Sequence, residues 1–301
     1  SCIQTAVTRK CSMTHSPPVA IVTGASRGAG KGIAIALGSH GCVVYVTGRS
    51  QREGDASMPG TIYATAEAVT KAGGKGIAVR CDHADDAQVK AMIGQVTREQ
   101  GRIDILVNNA CAIHDRLPGP GNFWEKPLEI GNMINVGVRS GFAASWLVAP
   151  TMVKQGSGLI VFTSAPGSVY YCLGPAYGAH KAGVDKMAFD MAVDFKDAGV
   201  NVAAVSIWMG SLMSERLVQL MQAAPNKFRH LEGTLESTEF TGHVIWALFK
   251  DTKLVEVSGK TLIGAELGRH YGITDLGGKY PPSVREMHRC APHEYSPFKV
   301  K

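Results

Sequence analysis

The chain has 301 residues, 45% hydrophobic and 19% charged, with a formal net charge of +6. That content supports a sizeable core, in one large α/β domain or two small ones, and excludes bulk disorder. Lys and Arg are scattered among acids except at a basic C-terminal end, so a nucleic-acid partner is not expected; the charge suits a small phosphate-bearing ligand instead.

The first sixteen residues, SCIQTAVTRKCSMTHS, hold no acid and no hydrophobic period. Residues 1–16 read as a poorly ordered leader that is not part of the folded unit; a transit peptide is the weaker alternative, since Arg9 and Lys10 make a thin basic case. Next, VAIVT (19–23) is a short apolar run that stops at glycine, the signature of a buried strand. GAGKGIAIALGSHG then carries helical spacing through Ile33, Ile35, Ala36 and Leu37. CVVYVT (42–47) is a second strand, followed by a helix near 61–72, a strand at GIAVR, a helix near 85–99 and a strand at DILVN. A long helix is predicted over about 125–153, then the strand LIVFTS, a helix near 175–197 and the strand NVAAVSI. Helices near 212–223 and 237–249 and a last strand at KTLIG complete the series.

This alternation with continuous apolar strands predicts an α/β fold: a Rossmann-type, doubly wound parallel sheet of about seven strands flanked by helices. One domain over 17–270 and a C-terminal tail over 271–301 are expected. The seven cysteines show no CxxC and no Cys/His spacing suited to zinc, so no metal is expected. Cysteines within apolar runs, such as Cys42, suit a reducing compartment. With no apolar run approaching a membrane span, a cytoplasmic protein without a membrane partner is expected.

The first strand runs into TGASRGAG, which places Gly24, Gly28 and Gly30 just before a helix. Glycines allow a tight turn and close approach to a pyrophosphate, and the helix start offers free N–H groups. Such turns also serve purely structural ends, but this position in an alternating α/β chain favours a dinucleotide. At the end of the second strand an acid would bind the ribose 2′-hydroxyl of NAD; this chain has Gly48 and Arg49, and Arg27 lies in the turn. Two guanidinium groups suit a 2′-phosphate, and so NADP(H), unless both are merely solvated surface residues.

From Val19 to Gly264 the chain resembles the short-chain dehydrogenase/reductase family. The spacing TGxxxGxG points to its compact oxidoreductase branch, and further motifs fall in family order: NNA at 108–110, Ser164 at a strand end, YGAHK at 177–181 and MGSLMS at 209–214 where PGxxxT is usual. FWEKP (123–127), SAPGS (164–168) and RHYGITDLGGK (269–279) resemble a branch that reduces carbonyls and steroids with NADP(H). That branch can carry an apolar C-terminal extension; here the end is polar and basic, so membrane association is not carried over.

The resemblance implies a catalytic set of Asn135, Ser164, Tyr177 and Lys181. Tyr177 and Lys181, at i and i+4, share a helix face. A free phenol has a pKa of roughly 10. The ammonium and an oxidised nicotinamide would lower it, so that the phenol exchanges a proton with the substrate oxygen during hydride transfer. Ser164 would stabilise charge on that oxygen, Lys181 would also hold the nicotinamide ribose, and Asn135 would interrupt the long helix and hold a water of a proton relay. Cofactor contacts are expected from Gly24, Ser26, Arg27, Gly28, Ala29, Gly30, Arg49, Asp82 (beside the adenine), Asn109, Ala110, Tyr177, Lys181, Gly210, Leu212 and Ser214. Met209 in place of proline predicts a more mobile turn, and Cys111 is expected to pack against the cofactor floor.

Loops after the strands supply the substrate walls: His114, Trp124, Val169, Tyr170, Leu173 and Met213, suited to an apolar or aromatic carbonyl or alcohol. Leu217, Leu220 and Met221 recur at helical spacing and read as packing residues of a helix that could act as a lid. The alternatives are a 3-oxoacyl thioester reductase, which would want a basic entrance, and a non-catalytic NADP-sensing protein, which would forfeit Tyr177 or Lys181. By resemblance a homodimer or homotetramer is expected. A second match to the Tyr-x-x-x-Lys spacing, YSPFK at 295–299, lacks company: Pro282 stands where the serine would be, and Pro297 breaks any helix.

Overall fold

A computed structural model describes residues 16–300; the expected leader lies outside the described residues apart from Ser16. Strands β1 (Val19–Val22), β2 (Val43–Gly48), β3 (Lys75–Arg80), β4 (Ile105–Asn108), β5 (Gly158–Ser164), β6 (Val202–Trp208) and β9 (Thr261–Ile263) form one parallel sheet in the order β3-β2-β1-β4-β5-β6-β9. Two short strands, β7 (Ser211–Leu212) and β8 (Leu235–Glu236), pair separately. The seven-strand parallel sheet follows the predicted architecture. Its order reverses between β1 and β4, and the carboxyl ends there open the crevice where such sheets bind ligands.

Alternation along β1 divides the core. Val19 and Ile21 face one layer with α3 (Asp86–Gln100), α4 (Ser140–Gln155) and α5 (Pro175–Asp197), represented by Met92, Val148 and Val184. Ala20 and Val22 face the other, with Ile33 and Leu37 of α1 (Gly28–Ser39), Val69 of α2 (Ile62–Lys71) and Ile245 of α8 (Phe240–Lys250). Each fully buried Val, Ile or Leu contributes roughly 1.5–3 kcal/mol of hydrophobic stabilisation. Local chemistry sets the helix ends: Thr61 accepts from the N–H of Ala64, Asp85 accepts from Ala87 and Gln88, and Gly101 closes α3 at φ 69°.

The single helix predicted over 125–153 is not one helix. It is built of 3₁₀ turns at Phe123–Glu125 and Leu128–Gly131, a π-helical segment at Ile134–Arg139, and α4. Asn135 lies in the π segment, so the helix is interrupted where the resemblance implies. The helix expected from 212 begins at Glu215 as α6 (Glu215–Ala223), because Ser211 and Leu212 are drawn into β7. A short helix α7 (Pro225–Phe228) follows α6.

The C-terminal segment packs on the domain. After α9 (Gly264–Tyr271), the chain returns through α10 (Val284–His288), where Val284 joins Trp208, Ile263 and Ala265 in a buried cluster. Ser283 donates to Glu266 at 2.7 Å. The YSPFK match serves as an anchor: the Tyr295 ring lies 5.0 Å from that of Phe189, and Lys299 bonds Asp197. Among the described residues no helix is long and apolar enough to cross a membrane, and no group of three or more His, Cys, Asp or Glu could hold a metal ion.

Candidate active site

The glycine turn needs its glycines. Gly24 and Gly28 adopt φ of 63° and 57°, and a Cβ on Gly24 would stand 2.7 Å from the Cα of Ala110. Thr23 and Asn109 bind the turn to β4: the Thr23 hydroxyl accepts from the N–H groups of Asn109 and Ala110, and Asn109 Nδ2 donates to the carbonyls of Thr23 and Gly24 at 2.9 and 3.0 Å. Asn109 therefore shapes the cofactor turn through its side chain. The Gly28 N–H, first on α1, donates to Glu215 Oε2 at 2.8 Å, and Lys31 Nζ lies 3.7 Å from Oε1. The positive helix end thus already holds an oxyanion, a carboxylate from the far side of the chain. Ser26 is buried beside it, and Ala29 lies half-buried in the first turn.

Arg27 in the glycine turn and Arg49 after β2 are held differently. Arg27 is committed to the protein: Nη2 donates to Ser50 Oγ and to the Gly60 carbonyl, both at 2.8 Å, and Nε to the Pro59 carbonyl at 3.0 Å. Its expected share in a 2′-phosphate site is reduced accordingly. Arg49 is 70% exposed in its side chain, and among the described residues its ion-pair partner is Asp82, at a loose 3.9 Å. Asp82, expected beside the adenine, otherwise accepts from the N–H of Ala84.

Three residues of the expected catalytic set, Ser164, Tyr177 and Lys181, lie at the end of β5 and the start of α5. Ser164 ends β5 with no exposed surface, and its Oγ has no hydrogen-bond partner among the described residues. Tyr177 packs against Gly167, whose Cβ would stand 2.6 Å from the Tyr177 Cε1. Lys181, one turn on, is buried; its Nζ donates to the Thr163 carbonyl at 3.2 Å and lies 5.5 Å from the centre of the Tyr177 ring. Burial lowers the Lys181 ammonium, opposed by Cys111, Asp185 and Cys172.

The lowering expected of the phenol with an oxidised nicotinamide bound is not produced by the protein alone. Burial pushes Tyr177 above its ordinary value, and Cys172, Cys111 and Tyr170 push the same way. Burial disfavours the phenolate, and all three neighbouring groups act in the same direction, so without dinucleotide the protein's own groups favour the neutral phenol. Asn135 is exposed; its backbone carbonyl accepts from the Ser140 N–H, and no direct hydrogen bond joins it to Lys181. Contact between the π segment and α5 runs through Gly137, where a Cβ would stand 2.7 Å from the His180 Cδ2.

In the turn after β6, the Met209 N–H donates to the Ser164 carbonyl at 3.1 Å, Gly210 N–H to Glu236, and the Ser214 hydroxyl accepts from the Leu217 N–H as the cap of α6. Leu212 sits in β7. Leu217, Leu220 and Met221, expected to be packing residues, are not buried, and neither is any other residue of α6. The substrate walls are only partly as expected. Tyr170 faces His288 of α10 at 5.4 Å, Leu173 takes a positive φ of 56°, and Met213 stays exposed. Val169 instead packs on the Trp208 cluster, His114 accepts from the Arg116 N–H, and Trp124 is 69% exposed with Phe123 as its ring partner.

Sequence reasoning missed several groups. Asp185, one turn beyond Lys181, is buried and accepts from Ser168 (2.8 Å), Ser206 (2.5 Å) and the Trp208 indole (2.9 Å), tying α5 to β6 and to the loop after Ser164. Its position at i+4 from Lys181 was the available signal. His180 is buried with Nδ1 3.6 Å from Cys111 Sγ; burial lowers the imidazole to about 3 and raises the thiol, so neither is a ready nucleophile or base. Cys111 also packs on Leu117, Ile130 and Met133, as a structural residue would.

The glycine turn, the exposed cation at the end of β2 and the unpartnered Ser164 hydroxyl fit a nicotinamide dinucleotide, whose pyrophosphate would have to displace Glu215 from the Gly28 N–H. This is the apparatus of a dinucleotide-dependent oxidoreductase. A family model described as short chain dehydrogenase matches residues 18–215. The chain is 37% identical over 272 residues to the Homo sapiens protein "Dehydrogenase/reductase SDR family member 1", covering 87% of this chain and 84% of that one. With the Mus musculus counterpart the identity is 38% over the same shares. It is 32% identical over 258 residues to Homo sapiens "Hydroxysteroid dehydrogenase-like protein 2", covering 85% of this chain and 58% of that one. A short chain dehydrogenase structure from Mycobacterium thermoresistibile superposes with TM-score 0.72 at 25% identity, over 88% of this chain and 90% of that one. The chain belongs to the short-chain dehydrogenase/reductase family.

Proposed function

We propose that the protein is an NADP(H)-dependent carbonyl reductase, acting reversibly on an apolar or aromatic ketone or aldehyde, steroid-like ketones included. The Ser164 hydroxyl carries this reading: a buried donor without a partner, at the edge where Tyr177 and Lys181 converge, suits a substrate oxygen. A bound nicotinamide dinucleotide supplies the hydride. Tyr177, kept neutral by burial, gives its proton to the oxygen; Ser164 stabilises the charge that develops there; Lys181 stands under the phenol ring, fixed by the Thr163 carbonyl. Asn135, in the π segment, is assigned the outer end of a proton relay. The name of the hydroxysteroid dehydrogenase-like relative supports the steroid-like part of the substrate class.

Preference for NADPH rests on Arg49, exposed and loosely held where NAD enzymes place an acid. Arg49→Asp is expected to raise the KM for NADPH at least tenfold, the worth of one charge-assisted contact, with that for NADH unchanged or lower. Steady-state kinetics with both cofactors checks this; an unchanged preference removes Arg49 from the assignment. A second copy of the chain is the proposed partner. Phe142, Trp146 and Val153 stand exposed at helical spacing along α4, Trp146 by 67%. Trp146→Glu is expected to shift the sedimentation of a dimer or tetramer toward the monomer; unchanged mass would argue that this face is not the interface.

A further inference from the structure

Two sequence features take no part in the proposed chemistry: Met209 where the family places proline, and the C-terminal motif RHYGITDLGGK. Glu236 connects them. The Gly210 N–H donates to its Oε2 at 3.1 Å, and the Met213 N–H donates to its carbonyl at 2.9 Å. Between these bonds, Ser211 and Leu212 pair with Leu235 and Glu236 in the short β7–β8 ladder. A Cβ at Gly210 would stand 2.5 Å from Glu236 Oε1, so the carboxylate presses directly on the turn. Met209 itself adds its bond to the Ser164 carbonyl, which proline cannot form. The turn that lacks a rigid residue is thus held by hydrogen bonds from both flanks.

The brace has its own support. The Ser237 N–H, next in the chain, donates to Asp275 Oδ2 at 2.7 Å. Asp275 is fixed within the motif: its N–H donates to the Lys279 carbonyl and its carbonyl accepts from Gly278 N–H, through Gly277 and Gly278 at φ of 68° and 71°. On the other side, Gly32 of α1 lies against the Thr238 carbonyl, and the Phe240 N–H donates to Ser237 Oγ at 3.1 Å. Glu236 is 1% exposed, and burial with the neighbouring Asp275 raises its carboxyl to about 7. Buried so deeply, the carboxyl takes a hydrogen bond from the turn itself, at the Gly210 N–H.

We propose that Glu236 is a positioning residue for the cofactor, bracing the 209–214 turn in place of the family's proline, and that Asp275 of the C-terminal motif holds that brace. The proposal rests on the turn's assignment to the nicotinamide side of the site. Two readouts on the full chain test it: hydrogen exchange of the 209–214 backbone without dinucleotide, and fluorescence titration with NADPH and NADH. Glu236→Ala should speed exchange about tenfold and weaken NADPH and NADH alike by about tenfold, from the lost acceptor. Glu236→Gln keeps an acceptor oxygen and should stay within about twofold of the parent. Asp275→Ala should show a smaller loss of both, and the double variant should be no weaker than Glu236→Ala alone, because one acts through the other.

Unchanged exchange in Glu236→Ala, equal losses for Gln and Ala, or losses that multiply in the double variant would overturn the brace. If Glu236→Ala does not fold, Asp275→Ala decides, and parent-like exchange there overturns it equally. A parent protein that binds neither dinucleotide strikes at the cofactor assignment instead, while the exchange readout still decides whether Glu236 holds the turn.

Discussion

Tyr177→Phe is expected to lower kcat for carbonyl reduction about a thousandfold while leaving NADPH affinity and thermal stability nearly unchanged. Phenylalanine keeps the ring against Gly167 and removes only the hydroxyl to which the proposed function assigns the proton transfer. The pH profile adds a sign. Burial, with Cys172, Cys111 and Tyr170, holds the phenol above its ordinary value, so it stays protonated through neutral pH. Reduction, which needs the protonated form, should show no fall in rate from phenol ionisation across that range. Alcohol oxidation needs the phenolate and should rise as the solution becomes alkaline. Steady-state rates in both directions check this; full turnover by Tyr177→Phe would remove Tyr177 from the chemistry.

Ser164→Ala is expected to move activity and stability in opposite directions. Removing a donor aimed at the developing oxyanion costs about a hundredfold to a thousandfold in kcat. The same hydroxyl is buried without a partner, and an unsatisfied buried polar group costs a fold roughly 1–3 kcal/mol. Deleting it should therefore raise the melting temperature or leave it unchanged. Activity and melting temperature measured on one preparation test this, and a joint fall would mean an ordinary structural serine.

Much of this arrangement is legible in the sequence, because short-range physics writes it there. The short, β-branched apolar runs at VAIV and GLIVFTS favour buried strands, and Gly24 and Gly28 adopt backbone that other residues rarely do. Ser164, Tyr177 and Lys181 are singled out by resemblance, since the Tyr-x-x-x-Lys spacing alone recurs at YSPFK. What stays hidden depends on partners far along the chain. Glu215 reaches Gly28, and Glu236 reaches Gly210 and is steadied from Asp275, across separations no local period records. The π segment around Asn135 keeps the apolar spacing of a helix, so periodicity cannot distinguish it. Arg27 looks like a free cation until the Pro59 and Gly60 carbonyls are seen to claim it. For Tyr177, the sequence shows the nearby ammonium but not the burial that raises the phenol.

Cofactor consumption over a panel of apolar ketones, aldehydes and acyl thioesters, with NADPH and NADH in parallel, bears most directly on the central claim. The expected result is oxidation of NADPH in preference to NADH, driven by at least one apolar or aromatic ketone or aldehyde and stopped by Tyr177→Phe. Consumption with the thioesters alone, or none with any compound while NADPH is bound, would contradict it.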